Sequence, residues 1–247
     1  MTCRWVKMGC PDAFCPPPAR RIPGGTVFDT AAAGPASLLF IAGVGFAGLC
    51  LGLLADALVR RALPQLASAP SARLKITTAA GTFVLSALLA WRFGSSAELP
   101  AYVLLGVFAV PLARIDIEHH LLPNRLVGPL LGAGVALLAA AALAQGAAGD
   151  LYRGVAGSVI LFVFYLFLAL TSRNGLGMGD VKLAAPLGLY LGYLGWSHLF
   201  YGGALAFVAG GLASVVLVLK SRQNRPKEVA YGPSMLAAVF AVILLMP

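Results

Sequence analysis

Apolar runs separated by short polar breaks recur along nearly the whole chain. They lie near residues 36–58, 75–93, 101–117, 125–145, 152–172, 181–196, 198–219 and 232–246. A helix needs roughly 20 apolar residues to cross ~30 Å of hydrocarbon, and these runs are of that order. The pattern predicts an all-α membrane protein, a bundle of about eight transmembrane helices. The sixth run is the weakest as a helix, because Pro186, Gly188, Gly192 and Gly195 interrupt it. The longest polar connections are 59–74 and 220–231, and no soluble domain breaks the series. Short connections predict antiparallel neighbours in one compact bundle.

Composition excludes the main alternative. Of 247 residues, 60% are hydrophobic and 11% charged, too few polar groups to coat a soluble domain of this length. The net charge of +9 would suggest nucleic acid in a soluble chain. Here its distribution accounts for it, and nucleic acid is not an expected partner. Arg60, Arg61, Arg73 and Lys75 follow the first run, and Arg114 and Arg125 flank the break after the third. Arg173 and Lys182 follow the fifth, and Lys220, Arg222, Arg225 and Lys227 the seventh. All four breaks fall on one side of an eight-span chain, and the opposite side holds little beyond Arg92 and Arg153. The positive-inside rule makes the basic side cytoplasmic, in a cell membrane whose anionic lipid is the expected partner of these loops.

Residues 1–33 are Pro- and Gly-rich (CPPPARRIPGG) and carry Arg4, Lys7, Arg20 and Arg21. They are read as a disordered tail, leaving 34–247 as the transmembrane domain. The eight-span reading puts this basic tail outside, and the four concordant breaks outweigh it. Cys3, Cys10, Cys15 and Cys50 form no CxxC pair, so neither a disulfide framework nor a zinc site is signalled. Cys50, within a run, is expected to be a small buried hydrophobe.

Against this background the acids stand out. Asp12 and Asp29 are in the tail, Glu98 and Asp150 in outer connections, and Glu228 in a basic one. Asp56, Asp116, Glu118 and Asp180 lie at or inside span ends, where a carboxylate is costly and lines a polar cavity or a functional site. Asp116 closes the third run and Asp180 opens the sixth. Two crossings separate them, so both return to the cytoplasmic face and the topology permits them to meet.

Two facing aspartates suit peptide hydrolysis. Like charges in contact do not both ionise easily, so the pair holds one proton. The ionised member activates water and the protonated one donates to the scissile carbonyl, with no metal or covalent intermediate. The stretch "GLGMGD" adds Gly175, Gly177 and Gly179 ahead of Asp180. Glycine permits irregular backbone and close approach of another chain, which an extended substrate needs. Asn174 would favour ending the fifth helix. The plainer reading is a glycine-rich loop with an Asp capping the next helix. Residue chemistry alone leaves both open.

The motifs resemble a known family. "GMGD" followed by "VKLAAPLG" is similar to the GxGD motif of the type IV prepilin peptidases, membrane aspartic proteases that process pilin-like precursors. "DIEHHLLPN" resembles that family's Asp, five variable residues, then Leu-Pro and Asp or Asn. "GLCLGLLADALVRRALP" is a looser match to the glycine-rich first helix and its Arg–Leu-Pro exit, and the resemblance covers most of residues 40–247. It implies that Asp116 and Asp180 are the catalytic pair, that Gly177 and Gly179 shape the loop, and that Pro123 and Asn124 form the turn after the first Asp. The implied partner is a precursor with a short basic leader before an apolar helix, cut at the cytoplasmic face.

Two departures qualify the resemblance. Long-form members carry two CxxC pairs in a cytoplasmic insertion between spans one and two, and this connection is short and has no cysteine. The Asn usual near the end of span one is Asp56. Long forms also methylate the new N-terminus with S-adenosylmethionine; the missing insertion leaves that activity open, while the peptidase reaction needs no cofactor.

The remaining candidates have structural readings. Glu118 lies about 200° around the helix from Asp116, so only one can face Asp180, and Glu118 is expected to be solvated or salt-bridged. His119 and His120 diverge by about 100° and lack the HExxH spacing, so no metal ligands are assigned. Lys182 and Arg125 read as interfacial anchors. Asp56 reads as a buried polar contact, and Tyr190, Tyr193, Trp196, His198 and Phe200 as an interfacial belt. Two rivals remain: a proton-coupled transporter using Asp116 and Asp180 as a relay, and a noncatalytic pilus-assembly protein. The sequence carries no signal for oligomeric state.

Overall fold

The computed structural model describes residues 35–62, 72–119, 122–171, 177–220 and 231–246. The tail reading falls outside them. The described residues form eight helices and no strand: α1 (Pro35–Ala62), α2 (Ala72–Phe93), α3 (Leu99–His119), α4 (Asn124–Gln145), α5 (Ala148–Thr171), α6 (Met178–Leu194), α7 (Trp196–Lys220) and α8 (Gly232–Leu245). Each follows one predicted apolar run. Five stretches have the length and apolarity of a membrane span: Ser37–Arg61, Lys75–Phe93, Leu99–Glu118, Asn124–Gln145 and Ala148–Thr171. Gly232–Leu245 is a shorter apolar helix. This is an all-α, multi-pass membrane protein.

Every helix touches the next in sequence, as short connections require, and α3 also packs on α1 and α8. The core helix is α6, which meets α4, α5, α7 and α8. Its residues from Asp180 to Tyr193 are buried almost without interruption. The sequence reading took its glycines as a weakness, and the packing gives them a different role. A Cβ on Gly192 would lie 3.1 Å from the Gly157 Cα and 3.2 Å from the Gly154 Cα, so α5 and α6 meet backbone to backbone. Small residues at such spacing let membrane helices approach closely where no hydrophobic effect drives them together. Pro186 lies inside the helix, on its buried side.

The same geometry corrects the aromatic belt. Tyr190 and Tyr193 are buried, as is His198, whereas Trp196 and Phe200 are exposed as expected. Tyr190 and Tyr193 belong to the central helix, so their rings turn into the bundle. Tyr102 donates to the Tyr190 carbonyl at 2.9 Å and its ring meets the Tyr190 ring edge-on. Cys50 is also corrected: it is exposed, on the outer side of α1. Leu39, Phe46, Phe167 and Leu212 are exposed too, on outer surfaces apolar enough to meet lipid tails.

Side-chain contacts show which helix ends meet. At one end Arg92 donates to the Met246 carbonyl at 2.8 Å, and Arg153 to the Gly192 and Tyr193 carbonyls at 2.9 and 2.7 Å. At the other end the close of α3 meets the starts of α4, α6 and α8. That end carries both aspartates.

Candidate active site

Asp116 lies near the C-terminal end of α3 and Asp180 in the first turn of α6. Both are buried, at 4% and 6% exposure, where an acid with no compensating role is disfavoured. The Asp116 carboxylate acts electrostatically on Asp180, so the two acids separated by α4 and α5 share one site. Asp180 Oδ1 is buried and has no hydrogen-bond partner among the described residues.

Three contacts build this arrangement. Gly179 lies against Leu122: a Cβ there would fall 2.9 Å from the Leu122 Cβ and 3.2 Å from its backbone nitrogen. Only glycine lets the start of α6 approach the exit of α3 so closely. Lys182 Nζ donates to Asn124 Oδ1 at 2.9 Å, tying α6 to the first residue of α4. Pro123, in extended conformation at φ −69°, is the residue on which α4 starts. Finally, the Gly232 N–H at the start of α8 donates to Asp116 Oδ2 at 2.9 Å.

The Gly177 backbone is extended at φ −70°, a conformation open to any residue, so left-handed freedom is not what it contributes. It opens α6, and its amide interacts with the Asp180 carboxylate. Asn174, Gly175 and His120 lie outside the described residues. Lys182 does more than anchor at an interface, since it braces the two motifs. Glu118 accepts from Arg114 at 3.3 Å, and Arg114 also reaches Asp56 at 3.4 Å. Asp56, buried, is further paired with Arg60. The salt-bridged reading of Glu118 and the buried polar contact of Asp56 therefore describe one network joining α1 and α3. Among the described residues no three His, Cys, Asp or Glu side chains cluster as metal ligands.

Sequence reading missed Tyr231 and Gly232. Tyr231 is buried, donates to the Phe207 carbonyl at 3.3 Å and lies within electrostatic reach of Asp180, as does buried Tyr165. The Gly-Pro pair of "YGPSM" signals a helix start, and nothing local marks it as a neighbour of Asp116.

Fold and site thus define a polytopic membrane protein with two buried, interacting aspartates at one end of its bundle. Residues 101–215 match the type IV leader peptidase family. The chain is 32% identical over 162 residues to the prepilin leader peptidase/N-methyltransferase of Stutzerimonas stutzeri, covering 65% of this chain and 55% of that protein. It is 31% identical over 164 residues to the protein of that name from Pseudomonas aeruginosa, covering 66% and 55%. It is 33% identical over 162 residues to the one from Xanthomonas campestris pv. campestris, covering 65% and 55%. The chain spans about half the length of these curated relatives in each match. No solved structure matches it.

Proposed function

We propose that this protein is a membrane aspartic endopeptidase that removes the leader of a pilin-like precursor at the cytoplasmic face, with Asp116 and Asp180 as its catalytic pair. The observation that carries the reading is the convergence of these two buried acids, from distant helices, at one end of the bundle. The family match of residues 101–215 and the names of the relatives supply the substrate class.

In this reaction one carboxylate holds a proton and the other is ionised. The ionised group takes a proton from water, which attacks the scissile carbonyl carbon. The protonated group donates to the carbonyl oxygen as the tetrahedral intermediate forms. The C–N bond then breaks as a proton passes to the leaving amine, and the pair returns to its starting state. The precursor's apolar helix lies in the bilayer beside the bundle, bringing the bond before it to the level of the pair.

The names of the relatives also carry N-methyl transfer. Neither described cavity fits S-adenosylmethionine. One, about 620 Å³ between α1, α3 and α4, is lined by aliphatic side chains and Phe108, with Arg125 the one charged group. The other, about 540 Å³ between α2, α3 and α8, is mostly apolar, its polar lining being Thr77, Thr78, Arg114 and Glu118, the last two already bonded to each other. A nucleoside and a charged amino-acid group need more polar partners than these, and no step here depends on that cofactor.

Co-expression with pilin-like precursors from the same genome tests the proposal, reading precursor mass by mass spectrometry. Loss of the leader supports it, and the same spectra report any N-methyl group. Intact precursors together with pH-driven flux in liposomes would replace it with the proton-coupled transporter.

A further inference from the structure

We infer that the start of α8 is a working part of the site: Gly232 positions the Asp116 carboxylate, and it must be glycine because the carboxylate occupies the space of its side chain. The inference rests on the peptidase reading for its consequence in catalysis. The contact itself stands independently.

Gly232 is the first residue of α8, following Tyr231. The first N–H groups of a helix have no partner within it, and no side chain from the Tyr231 position caps this one. Asp116 arrives from α3 and accepts the Gly232 N–H at 2.9 Å through Oδ2. The carboxylate thus caps a helix far away in sequence. The α8 start is itself held in place. The Tyr231 ring lies against Gly210 of α7, its hydroxyl donates to the Phe207 carbonyl at 3.3 Å, and α8 packs on both α3 and α6. The helix that orients Asp116 is therefore fixed relative to the helix that carries Asp180.

The space argument is equally direct. A Cβ on Gly232 would lie 2.8 Å from Asp116 Oδ2 and 3.2 Å from its Cγ. Real Cβ atoms do not sit that close, so alanine would push the carboxylate off its position. Gly232 has no positive φ. In a helix, alanine is otherwise preferred over glycine. Pro233 follows, and a residue with a Cβ is disfavoured in the helical region before a proline, so Gly232→Ala carries a backbone cost in any background; a loss beyond that comes from the contact with Asp116.

The experiment uses the full chain in detergent in four forms: wild type, Gly232→Ala, Asp116→Ala and the double variant. Removing the Asp116 carboxylate frees the space the new methyl group needs. Gly232→Ala should lower the melting temperature clearly more in the wild-type background than in the Asp116→Ala background. On a precursor that the wild type cleaves, Gly232→Ala should lower kcat by about 10- to 100-fold, the scale for a misplaced catalytic group, with KM little changed. A melting loss of the same size in both backgrounds, or full kcat in Gly232→Ala, overturns the inference. If the wild type cleaves no precursor, the peptidase reading fails, and the melting comparison still decides whether Gly232 and Asp116 are coupled.

Discussion

Gly179 and Leu122 touch so closely that a side chain on the glycine would overlap the Leu122 Cβ, at 2.9 Å. One belongs to the turn after the first aspartate and the other immediately precedes the second. Their contact sets the distance between the two motifs, which are distant in sequence.

Widening that contact should separate the acids. Gly179→Val is expected to abolish cleavage of a precursor, and Gly179→Ala to reduce it about 10- to 100-fold, again the scale for misplacing a catalytic group. Both variants should still insert in the membrane, because the change lies at the end of α6 rather than in its buried middle. Measuring cleavage rate beside the yield of folded protein checks this. Full activity in Gly179→Val would mean that the close approach is dispensable.

The hydrogen bond from Lys182 to Asn124 braces the same region from the other side. The pair is exposed, so its stabilising effect is small, of the order of 1 kcal/mol or less. Lys182→Met and Asn124→Ala should each slow cleavage modestly, and the double variant should be no slower than the worse single one. Strictly multiplied losses would show that the residues act separately.

Glu98 gives a test away from the site. It lies just before α3, and burial pushes its carboxyl above the usual range, with the Gln145 amide acting in the opposite direction and Asp150 adding repulsion. A raised folded-state value means that the folded protein prefers the protonated acid. The penalty is absent at pH below the unfolded value and grows as pH rises through the window between the two. Glu98→Gln should therefore raise the melting temperature slightly at neutral pH, with the gain shrinking as the pH is lowered toward 4.5, the ordinary value, and gone below it. A gain independent of pH would trace the effect to packing instead.

How much of this was legible in the sequence depended on whether the signal was local. All eight helices could be read, because a span announces itself by a long apolar run and a polar break. Counting crossings lets Asp116 and Asp180 lie at the same end, but bringing them within electrostatic reach takes α6 at the centre of the bundle. That position was hidden: Gly188 and Gly192 look like helix weakeners until Gly154 and Gly157 are seen opposite them. Tyr190 and Tyr193 read as an interfacial belt for the same reason. Aromatics near the end of a span look alike whether the helix is central or peripheral. Gly232 was illegible because its partner is brought to it only by the packing of α3 on α8.

In the proposed reaction Asp116 and Asp180 cut the precursor together. The most direct measurement is cleavage of a precursor by Asp116→Asn, Asp180→Asn and, as a control, Glu118→Gln, in protein shown to be inserted and folded. Asparagine keeps the shape of each acid and removes its ability to exchange a proton. Each Asn variant should lose cleavage, by at least about 10³-fold if the carboxylates act as a unit. Glu118→Gln, whose partner is Arg114 rather than the pair, should retain it. Robust processing by either Asn variant would contradict the account.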